Sequence, residues 1–538
     1  MADLLTLRKF EALSPFEIKD ELINLAKKAS RTTQSAFLNA GRGNPNWVAT
    51  TPRDGFFLLG QFAMTESKRV MEHAAGLGGM PQANGIAARL EAWLAKHADM
   101  PGAAFLASML RFATMKFGFD GNAFVHELVD SIIGDNYPVP DRMLVHNEQI
   151  VQEYLMWAMC GSPRPPGKFD LYAVEGGTAA MCYIFKSLKA NRLLHPGDTI
   201  ALGTPIFTPY LEMTHLEDYD LKMVQIKAPQ ENRFQYTDDE IKKLEDPKIK
   251  AFFIVNPGNP IGMAMSKETI AKIATLVKTK RPDLMLLTDD VYGTFVDDFR
   301  SLLGELPENT IGVYSYSKYF GCTGWRLGVI AVHEDNIFDK MLAKLPEAQL
   351  KALDKRYGPL TLEPRKIKFI DRIVADSRDI ALNHTAGLSL PQQVMMSLFS
   401  LCEMMDAEKR YQRACMEIVQ KRFHTLVEAM GLELSPNPNY DGYYGLIDFE
   451  FWARKNIGEE AVDYLKSHVH PLDLAFRLAE AHGIVLLNGG GFDAPDWSLR
   501  VSLANLPDEA YEDIGRGVRT IARGYRDAYE ASQGAAAK

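Results

Sequence analysis

Between about His146 and Gly328, short apolar runs alternate with stretches of helical spacing, and this alternation limits the fold more than any other feature of the chain. Glu148–Met159, Thr178–Lys189 and Lys267–Lys278 have helical spacing. Leu171–Val174, Thr199–Gly203, Leu221–Gln225, Ala251–Val255, Leu284–Leu287 and Thr310–Tyr314 are short apolar runs. Strands buried on both faces read as continuous apolar runs, and strands joined through helices lie parallel. The pattern therefore predicts an α/β fold with a largely parallel sheet covered by helices on both sides.

The flanks read differently. At 538 residues the chain is too long for one core and suits two or three domains. Pro15–Ala29 is amphipathic and helical, and Asn39–Asn46 is a polar loop broken by Gly and Pro. Gly55–Ile133 is mostly helical, and Gly134–Pro140 is irregular. Asp335–Asn383 is charged and helical and reads as an insertion that is either a solvated face or an oligomer contact. Ser389–Met430 is a long helical stretch bridging two domains, and Gly431–Leu506 mixes strands and helices as a smaller α+β domain. Ala531–Lys538 reads as a frayed tail. The expected division is 1–130, an N-terminal segment and helical extension grouped with the small domain; 131–334, the large domain; 335–384, the insertion; and 385–538, the interdomain helix and small domain.

A net charge of −9 supplies no bulk positive field for nucleic acid or an anionic membrane. The N-terminus lacks the apolar stretch of a signal peptide, and no apolar run is long enough to span a bilayer. Five scattered cysteines, without a C-x-x-C pair, fit a reducing cytoplasm and not a disulfide framework or a metal site.

The last apolar run leads into Ser315-Tyr316-Ser317-Lys318, followed by a Gly-rich turn and Arg326 between Gly324 and Gly328. A lysine among small hydroxyls, with a guanidinium eight residues on, suits an amine that carries an aldehyde cofactor whose phosphate is held beside it. Pyridoxal 5'-phosphate is such a group. Its phosphate calls for backbone N–H groups at a helix start, which Gly176-Gly177-Thr178 supplies after a strand. Its ring nitrogen calls for a carboxylate that keeps it protonated. Thr288-Asp289-Asp290-Val291-Tyr292 sits at the C-terminal end of a strand, and Asp289 is the expected ring partner. Tyr292 reaches the phenolic oxygen of the cofactor, and Asn259, in the Asn256–Gly262 turn, donates to the same oxygen. Phe207 is placed to lie on the ring face or in the core.

Taken in order, these motifs resemble the aspartate aminotransferase superfamily of fold type I pyridoxal-phosphate enzymes, over roughly residues 130–335 and 385–525. The resemblance implies a large domain with a mostly parallel, seven-stranded type of sheet flanked by helices, plus a smaller α+β domain. It makes Lys318 the Schiff-base lysine and proton shuttle. Gly176, Gly177, Thr178, Ser315 and Arg326 are similar to the phosphate cup. Tyr137 resembles the tyrosine that reaches the phosphate from a neighbouring subunit, so a homodimer is the implied minimal unit. Arg500 resembles the arginine that clamps the substrate α-carboxylate, and Gly41–Pro45, with Gly43, resembles the N-terminal active-site loop.

The departures are informative. The chain is longer than most of the superfamily, Phe207 replaces the usual Trp or Tyr, and Arg42 stands at a commonly apolar loop position. This layout resembles the aspartate 4-decarboxylase (aspartate β-decarboxylase) branch. The resemblance implies conversion of L-aspartate to L-alanine and carbon dioxide, with aspartate transamination as a side path. It also implies reactivation by 2-oxo acids such as pyruvate and a larger homo-oligomer such as a dodecamer. Arg42 is the expected contact for the distal carboxylate, directly or through a neighbour. The alternative is a plain aminotransferase for aspartate, alanine or an aromatic amino acid. A cofactor-sensing regulator would carry a basic helix-turn-helix ahead of the domain, and residues 1–130 show none.

Overall fold

The computed structural model describes residues 7–11, 13–33, 36–432 and 437–536. Its centre is a seven-stranded sheet of β1 (Phe169–Val174), β2 (Thr199–Thr204), β3 (Lys222–Lys227), β4 (Ile249–Val255), β5 (Met285–Asp289), β6 (Thr310–Ser315) and β7 (Gly328–His333). The order across the sheet is β1-β7-β6-β5-β4-β2-β3, and only β7 runs antiparallel to its neighbours. The alternating apolar runs explain this. Ile200, Leu202, Phe253, Leu287 and Val313 face one helical layer, while Ala201, Phe252, Ile254 and Leu286 face the other. A largely parallel sheet needs both covers.

The charged segment departs from expectation. Its helices Ile337–Leu342, Glu347–Tyr357 and Phe369–Ser377 join the core on one sheet face through Phe338, Leu353, Tyr357, Phe369 and Ile373. Asp376 is fully buried there, accepting from Ser187 Oγ at 2.7 Å, Tyr357 Oη at 2.8 Å, Asn191 Nδ2 at 3.0 Å and the Arg356 guanidinium at 2.7 Å. The segment is a layer of the sheet body, because its charges lie on one face of helices whose other face is apolar.

The N-terminal stretch divides. Helix Pro15–Thr33 packs on helix Asp473–His482, and Leu38–Asn39 pairs in parallel with Ile484–Val485. Helices Thr50–Val70, Ile86–Lys96, Ala103–Phe117 and Gly121–Ile133 instead form their own core around helix Leu390–Met405. The expected single segment 1–130 thus packs in two places. The expected long helix from Ser389 is two helices, Leu390–Met405 and Arg410–Ala429, broken where Lys409 takes a left-handed conformation.

The smaller sheet holds β8 (Tyr444–Asp448), β9 (Leu487–Asn488) and β10 (Ser498–Ser502), in the antiparallel order β9-β10-β8. Phe449–Ile457, directly after β8, is helical. The last helix runs unbroken from Ala510 to Ala536, so the expected frayed tail is helical as far as it is described; residues 537–538 lie outside the described residues. No described helix is long and apolar enough to cross a membrane.

Candidate active site

The C-terminal ends of β1, β2, β4, β5 and β6 converge on a cavity of about 240 Å³, closed on the far side by the smaller sheet. Ligands of open α/β sheets bind at this end of the strands. Gly177, Thr178, Phe207, Asn259, Asp289, Tyr292, Ser315, Lys318 and Arg326 line it from the sheet body. Gly43, Tyr444 and Arg500 line it from the other side. A wider surface hollow, about 1010 Å³ near Lys189 and Arg356, holds none of these groups.

Lys318 follows β6 directly and is half-buried, and its Nζ donates to the Gly43 carbonyl at 3.0 Å. Tyr443 Oη donates to the same carbonyl at 2.7 Å. The loop carrying Gly43 is stitched to both sheets. Arg500 Nη2 donates to the Gly41 carbonyl at 2.9 Å, and the Trp47 indole donates to the Tyr319 carbonyl at 3.1 Å. The amine is thus held at the seam between two bodies.

One end of the cavity is built for an anion. Gly176 precedes helix Gly177–Ala190 with φ +88, and a Cβ there would lie 2.5 Å from Arg326 Nη2. Only glycine lets the turn sit under the guanidinium. Arg326 donates to the Thr323 and Glu175 carbonyls at 3.0 and 3.2 Å and has no carboxylate partner among the described residues. The first turn of the helix leaves backbone N–H groups without intrahelical acceptors. Ser315 Oγ is buried, donates to the Leu327 carbonyl at 3.1 Å and is hydrogen-bonded with Ser317 Oγ at 2.9 Å.

Asp289 ends β5, buried. Burial raises its proton affinity, opposed by the Tyr210 hydroxyl donating at 2.7 Å, the Val291 N–H at 3.3 Å and the Lys318 charge. A carboxylate so placed gains from a cationic ring nitrogen. Asp290 points elsewhere. It accepts from Thr288 Oγ1 at 2.6 Å and from Ser301, and burial pushes its carboxyl up to about 8. The two adjacent acids therefore have separate duties, one in the cavity and one fastening the loop.

Arg500, from β10, is only 1% exposed. Its Nη1 donates to Asn259 Oδ1 at 3.2 Å, and its guanidinium lies 4.3 Å from the Tyr444 ring centre and 5.0 Å from that of Phe492. Its Nε is buried without a partner among the described residues. Burial depresses its proton affinity. A buried cation with an unmet donor calls for an anion, and a planar carboxylate fits its fork.

Most of the residues anticipated from sequence meet here, and two do not. Arg42 is exposed and does not line the cavity, although Gly41 and Gly43 beside it reach the site. The loop turns the intervening side chain outward, which corrects the expectation that Arg42 meets the distal carboxylate within this chain's cavity. Tyr137 is 67% exposed, its ring 6.3 Å from that of His384, and is absent from the cavity. Tyr292 lines the cavity, its hydroxyl donating toward Tyr444 Oη at 3.5 Å. Phe207 packs edge-on against Phe16 and Tyr210.

Phe16, Tyr210 and Tyr444 also line the cavity and were not singled out from sequence. Tyr210 sits three residues after Phe207 in a segment whose position was expected, so its one-turn spacing was an available signal. Tyr444 and Phe16 carried none.

The family model for aminotransferase class I and II matches residues 176–516. A Pseudomonas protein described as a bifunctional aspartate aminotransferase and L-aspartate beta-decarboxylase is 49% identical over 97% of this chain and 98% of its own length. An aspartate aminotransferase of Pyrococcus abyssi is 35% identical over 26% of this chain and 36% of itself. Among solved structures, Thermus thermophilus aspartate aminotransferase with maleate aligns with a TM-score of 0.53 at 16% identity, covering 96% of this chain and 98% of its own. Saccharomyces cerevisiae Bna3p, a putative kynurenine aminotransferase, aligns at 0.57 and 15%, covering 98% and 99%. At such identities the two structures speak for the fold alone.

Proposed function

The chain belongs to the class I and II aminotransferase family, whose enzymes depend on pyridoxal phosphate and are typically homodimers acting on small molecules, and from that premise we propose that it removes the β-carboxylate of L-aspartate as carbon dioxide, leaving L-alanine, with aspartate transamination as a second activity. The end-to-end match to the bifunctional Pseudomonas protein carries this reading, because it spans residues that the partial relatives leave uncovered.

The cavity fits the cofactor. Gly176, Gly177, Thr178, Ser315 and Arg326 would hold its phosphate, Asp289 its ring nitrogen, Asn259 and Tyr292 its phenolic oxygen, and Lys318 its aldehyde carbon. Phe207 would wall its ring. When bound, the cofactor supplies a sink for the electron pair left at a carbon that loses a proton or carbon dioxide.

The chain's own residues do the rest. Lys318 Nζ removes and returns the proton at the substrate Cα. Asp289 favours the protonated ring nitrogen. Arg500 grips the α-carboxylate through a bidentate pair. A firm clamp on the distal carboxylate would stabilise the charge that must be lost, and only interactions stronger in the transition state speed the step. Phe16, Phe207 and Val255 offer that group apolar wall. Tyr137, exposed in one protomer, would reach the phosphate of its partner and make the dimer the working unit. A larger assembly such as a dodecamer, reactivation by pyruvate and a cytoplasmic setting complete the reading.

The test is incubation of the purified protein with L-aspartate and pyridoxal phosphate. Alanine and carbon dioxide in equal amounts are expected without added 2-oxo acid, with none from Lys318→Ala. Oxo-acid-dependent transamination without carbon dioxide would favour the plain aminotransferase.

A further inference from the structure

Loss of carbon dioxide leaves an electron pair on the former Cβ of aspartate, and that carbon must gain a proton that the departing group does not supply. Lys318 already serves Cα, so the question is which other group in the cavity can deliver one. Tyr444, from β8, lines the cavity directly. Its hydroxyl and Lys318 Nζ lie 2.8 and 3.1 Å from the point where a Cβ on Gly43 would stand. Glycine at 43 therefore keeps the phenol and the amine open to one another. The ring of Tyr444 covers the Arg500 guanidinium at 4.3 Å, so one residue touches the carboxylate clamp with its ring and approaches the lysine with its hydroxyl.

Resting on the decarboxylation reading, we infer that Tyr444 is the catalytic proton donor to the substrate Cβ. The carbon–carbon bond to the leaving carboxylate breaks, its electron pair remains on Cβ, and that pair takes the proton of the Tyr444 hydroxyl. The phenolate regains a proton from the Lys318 ammonium or from water, so each turnover consumes one solvent proton. The groups around Tyr444 favour this. Burial alone would raise its proton affinity, but the Lys318 and Arg500 charges and the Tyr292 hydroxyl outweigh it and the net direction is down. Burial drives Tyr292 the other way, so in this pair Tyr444 is the readier acid. An acid closer to working pH is the better donor.

Tyr444→Phe keeps the ring on Arg500 and removes only the hydroxyl. In the holoenzyme its kcat for carbon dioxide release should fall about tenfold or more. KM for aspartate should stay within about threefold, and amine transfer from alanine, which puts no proton on Cβ, within about twofold of the parent. Decarboxylation within about twofold of the parent, or amine transfer falling in parallel with it, would overturn the assignment. Release of carbon dioxide by the parent tests the decarboxylation reading separately, and the ratio of variant to parent tests Tyr444.

Discussion

Asp289 and Asp290 are neighbours with the same side chain and opposite tasks. Asp289→Asn removes the charge that would hold a ring nitrogen, and its activity should fall roughly 10²-fold or more while the protein stays folded, as steady-state kinetics and thermal unfolding would report. Asp290→Ala strips partners from Thr288 and Ser301 and should destabilise the fold by about 1–3 kcal/mol, read from denaturant unfolding. Lys318, Asp289 and Arg326 were legible in sequence because each sits at a strand end or beside a turn with a charge that needs a reason, whereas Arg500, in the middle of β10, came only from the family resemblance. Tyr444 was not legible. An aromatic residue in a strand is ordinary, and only the fold brings this one against a lysine 126 positions away. Arg42 was named from its place in a site loop, and sequence adjacency says nothing of which way a side chain turns.

The turn after β1 and the layer formed by residues 335–383 show what elements contribute. Gly176→Val would place a branched side chain against Arg326 in a backbone region that only glycine adopts readily. Affinity for pyridoxal phosphate should fall about tenfold or more in an absorbance titration, with lesser loss of secondary structure. Asp376→Ala leaves the Arg356 guanidinium and three polar groups of the sheet face without their shared acceptor and should cost about 3–5 kcal/mol in denaturant unfolding. Six of the seven strands of the sheet body were legible as apolar runs, and β7 was not singled out. The 335–383 layer was read as a surface insertion because its charge is conspicuous, whereas its apolar face, with Phe338, Leu353, Phe369 and Ile373, shows only at helical spacing.

At the scale of the whole molecule, the protein keeps several carboxyls out of water. Burial pushes Asp290 and Asp441 up to about 8 and Glu403 up to about 7. Their folded values lie above the unfolded ones near 4, so the stability they contribute is full below about pH 4 and is lost as pH rises through 7 and 8. The cofactor-free protein should therefore melt several degrees lower at about pH 8.5 than at about pH 6, and equal melting temperatures would contradict the burial of these groups. All parts of the cavity, from the helix start at Gly177 to the arginine of the smaller sheet, converge on one amine. Reduction of the pyridoxal-phosphate-loaded protein with borohydride, followed by digestion and mass analysis, tests that convergence most directly. A reduced cofactor adduct is expected on the peptide that contains Lys318. An unmodified Lys318 peptide, or an adduct confined to another lysine, would contradict it.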